Sequence, residues 1–169
     1  GGDILANYFA PEYAPPNLNT EGAKVQPRWL LNFLEKPMTI RPNLLVRMPS
    51  FALGEEKWNS LIKYFQYYDG QTTPYEGHYK PMKNSVEFRA GEKLHEMGAC
   101  NNCHFYGVTR PLQGAQTWAP NLALTKERLR PEWVVDWLNN PQEIMPGTKM
   151  PKPYIPTKEE LSTSDASEI

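Results

Sequence analysis

No apolar run in the 169 residues approaches the roughly 18 that a membrane-spanning helix needs, so no transmembrane segment is expected. No charged-then-apolar stretch opens the chain, so no export signal is visible in it. Neither sign of charge dominates. The net charge is −1, which removes any bulk electrostatic case for nucleic acid or an anionic membrane as partner. Proline-free stretches are short, because there are 17 prolines; they predict short helices joined by stiffened loops rather than long bundles. Cysteine is scarce: there are two, at 100 and 103. A structural zinc site needs about four ligands. Beyond the 100–104 segment only His78 and His95 remain as nitrogen donors of the usual type, and neither stands at a finger-like spacing.

What is present is concentrated in Cys100-Asn101-Asn102-Cys103-His104. The spacing is C-x-x-C-H, the attachment pattern of a c-type haem. Two thiols three residues apart suit addition to the two vinyl groups on a porphyrin edge. The adjoining imidazole can then bind iron from the proximal side. A thiol-redox C-x-x-C has the same cysteine spacing, but its usual βαβ context is missing here. Haem is fastened to this motif outside the cytoplasm, so a periplasmic or otherwise extracytoplasmic location is expected.

The periodicity predicts a helix from Pro27 to Leu34, with Trp29/Phe33 and Leu30/Leu34 as i,i+4 pairs, ended by Pro37. A second helix is expected from about Glu55 to Tyr68, with Trp58, Leu61, Ile62, Phe65 and Tyr68 on one stripe. A third begins at an N-cap, Ser85, and delivers the chain to Cys100. A fourth covers Pro131–Leu138 and ends at Pro141, and a last one opens near Thr157 before a polar, frayed tail. Residues 1–18 and 105–120 read as loops. The Pro- and Gly-broken stretch 71–84 reads as a linker between a lobe at 1–70 and a lobe at 85–169.

The two lobes repeat each other. Pro16-Asn17-Leu18 recurs as Pro120-Asn121-Leu122, an offset of 104. At the same offset Pro27 and Trp29 recur as Pro131 and Trp133, Leu34 as Leu138, Pro37 as Pro141, Ile40 as Ile144, and Glu55-Glu56 as Glu159-Glu160. Met48-Pro49 maps to Met150-Pro151 at 102, so the second copy is two residues shorter there. In this register a haem motif for the first copy falls just upstream of Gly1. Helix 55–68 is therefore expected either to stay in its own lobe or to pack on helix 85–97 and complete the second.

Over residues 85–161 the chain resembles the class I cytochrome c family. The match is carried by Ala90-Gly91-Glu92-Lys93-Leu94, the C-x-x-C-H, Ala119-Pro120-Asn121-Leu122, Trp133–Leu138 and Met145-Pro146-Gly147-Thr148-Lys149-Met150-Pro151. Residues 14–68 resemble it without the motif. The resemblance implies an all-α, cytochrome c-like fold around one covalent haem c. It implies Met150 as distal iron ligand, with Met48 as its equivalent in the first copy and the alternative donor. The thioether is a soft neutral donor suited to low-spin iron. The resemblance also implies that a proline carbonyl shortly after the motif accepts from the second nitrogen of His104, for which Pro111 is the expected residue. Gly91 is expected at a close helix crossing, with Phe65 or Tyr64 as partner. Trp118, Trp133 and Trp137 are expected to wall the pocket or the core behind it, and Arg110 and Lys149 are available to the porphyrin carboxylates. The function expected is one-electron transfer between redox partner proteins, within or beside a membrane respiratory complex, rather than an enzymatic reaction. The alternative is a catalytic or gas-sensing haem with an open iron position.

Overall fold

The computed structural model describes residues 17–41, 47–71, 75, 85–154 and 157. The expected loop at 1–16, most of the linker at 71–84 with His78, and the helix expected after Thr157 lie outside the described residues. Among the described residues the chain is helical, with no strand beyond isolated bridges. The helices are α1 Glu21–Lys24, α2 Pro27–Glu35, α3 Glu55–Tyr68, α4 Val86–Met97, α5 Thr125–Arg128, α6 Pro131–Asn139 and α7 Pro141–Ile144. Short 3₁₀ turns lie at Cys100–Asn102, Ala115–Thr117 and Leu122–Leu124. None of these helices is long and apolar enough to cross a membrane.

Local chemistry accounts for most boundaries. Pro27 and Pro131 occupy the first turns of α2 and α6, where a missing N–H costs nothing. The Ser85 side chain accepts from the Phe88 amide and starts α4. Pro141 both stops α6 and starts α7, where only a stop was expected.

The core is the first repeat. Val25, Leu30, Leu34, Trp58 and Ile62 are buried together, with Trp29, Leu31, Phe33, Leu61 and Phe65 packed around them. These are the apolar stripes of α2 and α3 facing one another, and burial of that area is what holds the short helices. Helix α3 thus packs on α1 and α2 of its own repeat. The crossing of Gly91 with Phe65 or Tyr64 is not formed, since no atom lies within 4 Å of where a Gly91 Cβ would be. The glycine at a close helix contact is Gly22, whose backbone is pressed on the carbonyl end of α3 at Phe65. Asp69, just after α3, closes that contact. Its Oδ2 accepts from the amides of Gly22 at 2.7 Å and Ala23 at 3.2 Å, which are otherwise unpaired first-turn donors. Asp69→Ala leaves both without that acceptor. A loss of about 1–3 kcal/mol is expected, read as a lower denaturant midpoint at unchanged slope.

The sequence repeat is also a geometric one. Helices α1 and α5 are offset by 104 residues, and so are α2 and α6. The two copies meet at Val25 and Leu129, themselves 104 apart, in an antiparallel bridge. The Gln26 amide donates to the Arg128 carbonyl at 2.8 Å and the Arg130 amide to the Lys24 carbonyl at 2.9 Å. Exchanging each residue for its repeat partner interchanges these two bonds, so a local pseudo-twofold axis passes between Val25 and Leu129. The side chains follow it. Lys24 Nζ lies 5.6 Å from the Trp133 ring centroid, and the Arg128 guanidinium 5.3 Å from that of Trp29. Trp29 stacks on Phe33 at 5.0 Å, and Trp133 on Trp137 at 5.1 Å.

Candidate haem site

Helix α4 ends at Gly98, and Ala99 takes a left-handed conformation with φ 49°. That reversal starts the 3₁₀ turn Cys100–Asn102, held by the Cys103 and His104 amides donating to the Cys100 carbonyl. Cys100 opens the turn and Cys103 caps it, with Cys103 Sγ donating toward Gln113 Oε1 at 3.8 Å. Both cysteines are free and half-buried. Burial pushes the Cys100 thiol pKa above its ordinary value, only partly opposed by a backbone hydrogen bond. A redox-active C-x-x-C needs the opposite shift, toward thiolate. Among the described residues no three His, Cys, Asp or Glu side chains are grouped to hold a metal ion.

After the motif the chain loops out and returns. Asn101 and Asn102 carbonyls accept from the amides of Leu112 and Gln113, the two residues after Pro111. The returning strand-like segment runs parallel to the motif, with Ala119 N donating to the Cys103 carbonyl at 2.8 Å and a bridge between His104 and Ala119. This register brings the Pro120 carbonyl 2.7 Å from His104 Nδ1. The expected Pro111 contact is thus corrected to Pro120. A carbonyl only accepts, so Nδ1 carries the hydrogen and Nε2 presents a lone pair. Burial draws the His104 pKa below its usual value; the Pro120 carbonyl opposes this and nearby His95 adds to it. A neutral imidazole of defined tautomer is the form that binds metal. The repeated Pro-Asn-Leu at 16–18 and 120–122 was the sequence signal for Pro120. Asn121 supports the return by exchanging two side-chain bonds with the Gly107 backbone.

Trp118 packs edge-on against Phe105 at 5.0 Å and donates from Nε1 to the Gln113 carbonyl. His95, on α4, meets Tyr106 edge-on at 6.2 Å. Met150 is half-buried, and its Sδ accepts from Trp137 Nε1 at 2.8 Å. The same loop reaches the motif: Pro153 Cβ lies 3.8 Å from where a Gly98 Cβ would stand. Met150 is three residues earlier, within about 11 Å along an extended chain. Met48 lies outside any helix and is 39 % exposed. Arg110 and Lys149 are exposed. Among the described residues, the buried nitrogens without an acceptor are instead Arg128 Nε, Arg130 Nη2, Trp133 Nε1 and His95 Nε2. Three of these four lie at the seam and the Trp133–Trp137 stack. Buried N–H groups of this kind ordinarily find a partner.

Comparison of the chain with family models, with curated proteins and with solved structures found no match.

Proposed function

We propose that this chain is an electron-transfer protein carrying one covalent haem c, passing single electrons between redox partner proteins outside the cytoplasm, in or beside a membrane respiratory complex. The observation that carries this reading is the His104 imidazole. It directly follows two free thiols that bracket a tight turn, and its Nδ1 is tied to Pro120 so that Nε2 is left to bind a metal. Attached haem supplies one-electron redox chemistry, with a potential set by axial ligands, burial and local polarity.

In this reading Cys100 and Cys103 fasten the porphyrin and His104 binds the iron. Pro120 fixes the imidazole tautomer and orientation. Met150 is the distal donor, with its thioether oriented by the Trp137 N–H. The unpaired N–H groups of Trp133, Arg128 and Arg130 suit the two carboxylates of a porphyrin edge better than the exposed Arg110 and Lys149 do. Trp118 and Pro111 line the loop beside the motif. Met48 stands in the corresponding place of the first repeat. A cytochrome c-like fold for the second repeat follows from the same reading, as does its division from the first near residues 71–84.

Expression with an export leader and a haem-maturation system tests it. The expected result is a coloured protein whose polypeptide mass includes one haem that survives denaturation. Colourless protein of bare polypeptide mass overturns it. Cys100→Ser or Cys103→Ser is expected to leave at most one thioether, so that acidified organic solvent extracts a larger share of haem than from the parent.

A further inference from the structure

The two copies are related by a pseudo-twofold axis, yet one arm of the seam differs from the other. In the second repeat the stack under the seam cation is Trp133 on Trp137, and Trp137 donates its N–H to Met150 Sδ at 2.8 Å. In the first repeat the corresponding stack is Trp29 on Phe33, which has no N–H to give. The seam therefore leads to one methionine only. The cation above Trp133 is Lys24 of the first repeat, 6 % exposed and paired with Glu21 at 2.6 Å. Burial of an ammonium is costly unless something holds it. Here the Glu21 carboxylate and the Trp133 ring face do so, against a desolvation that draws the Lys24 pKa down.

We infer that Lys24 is a positioning residue for Met150, acting through Trp133 and Trp137, so that the first repeat forms part of the second repeat's distal thioether site. A cation on one face of Trp133 fixes that ring against the seam. The near-parallel contact, 13° between planes, then fixes Trp137, and its N–H sets the direction of the Met150 lone pairs. This inference rests on the reading of Met150 as distal ligand.

The test uses the full chain with haem attached and reads imidazole affinity of the ferric protein together with the weak red sulfur-to-iron absorption. Lys24→Met and Trp137→Phe are each expected to raise imidazole affinity about three- to tenfold and to weaken the red band. The double variant is expected to do no more than the larger single change, because both act on one chain of contacts. Lys24→Arg keeps the cation and is expected to restore parental values, while Lys36→Met, an exposed lysine of the same repeat, is expected to leave them unchanged. Lys24→Gln, shorter and neutral, serves where Lys24→Met does not fold and is expected to match it. Parental affinity and band in the Lys24 variants, beside a changed Trp137→Phe, overturn the inference alone, as do additive effects in the double variant. A Trp137→Phe protein with parental values likewise overturns the inference alone, whereas a parent with no red band overturns the Met150 reading itself.

Discussion

Met150→Ala is expected to lower the midpoint potential and to raise the affinity for cyanide or carbon monoxide by at least about tenfold, a factor worth roughly 1.4 kcal/mol. The thioether is a neutral, soft donor that favours the reduced metal, so losing it favours the oxidised one. It also vacates a coordination position that an external ligand can take. Optical titration and potentiometry read both effects. Unchanged ligand affinity removes Met150 from the site. A parent that is already high-spin and ligand-reactive supports the catalytic or gas-sensing alternative instead. Met48→Ala serves as comparison: Met48 is 39 % exposed, and no change in either quantity is expected of it.

Gly22→Ala is expected to be the most destabilising single substitution in the first repeat. A Cβ there would stand 2.2 Å from the Phe65 carbonyl oxygen, 2.4 Å from its carbon and 2.6 Å from the Gln66 nitrogen. All three are backbone atoms of a regular helix and cannot swing aside as a flexible side chain would. Helix α1 must back away from α3, taking with it the Asp69 bonds to Gly22 and Ala23 and the Val25 bridge to the second repeat. Overpacking ordinarily costs about 1–3 kcal/mol. With backbone against backbone and the seam displaced, about 3 kcal/mol or more is expected. Gly91→Ala is the contrasting variant. Nothing lies within 4 Å of its Cβ and it sits inside α4, so a gain of up to about 1 kcal/mol in helix propensity is expected. Chemical denaturation of both variants distinguishes the two glycines. Equal losses would restore the close crossing at Gly91 that the family resemblance implied.

The helices were legible because their signals are local. Proline at the first turn, a serine cap and i,i+4 aromatic pairs act within a few residues, and α2, α3, α4 and α6 stand within about a residue of where those signals place them. The short α1 and α5 were not legible, since four residues carry no periodicity to read. The partner of His104 was misplaced for a related reason. Pro111 is nearer in sequence, but the loop's bonds to Asn101 and Asn102 and the return at Ala119 bring Pro120 there instead. In sequence, Arg110 stands out as a charge near the motif and Lys149 as one beside Met150. Among the described residues, three of the four buried nitrogens without acceptors belong instead to Arg128, Arg130 and Trp133, whose burial comes from the packing of the two repeats.

By itself the sequence determined the helical class, the C-x-x-C-H pentapeptide and the existence of two copies offset by 104 residues over most of their length. Each is a matter of spacing along the chain, and spacing survives without knowledge of the fold. Only the tertiary structure decided that helix 55–68 stays with its own copy, that Gly22 rather than Gly91 is the close contact, and that Lys24 of one copy sits on the tryptophan stack reaching Met150 of the other. Those are meetings between residues tens of positions apart or more, chosen by which apolar faces and buried cations can be satisfied together.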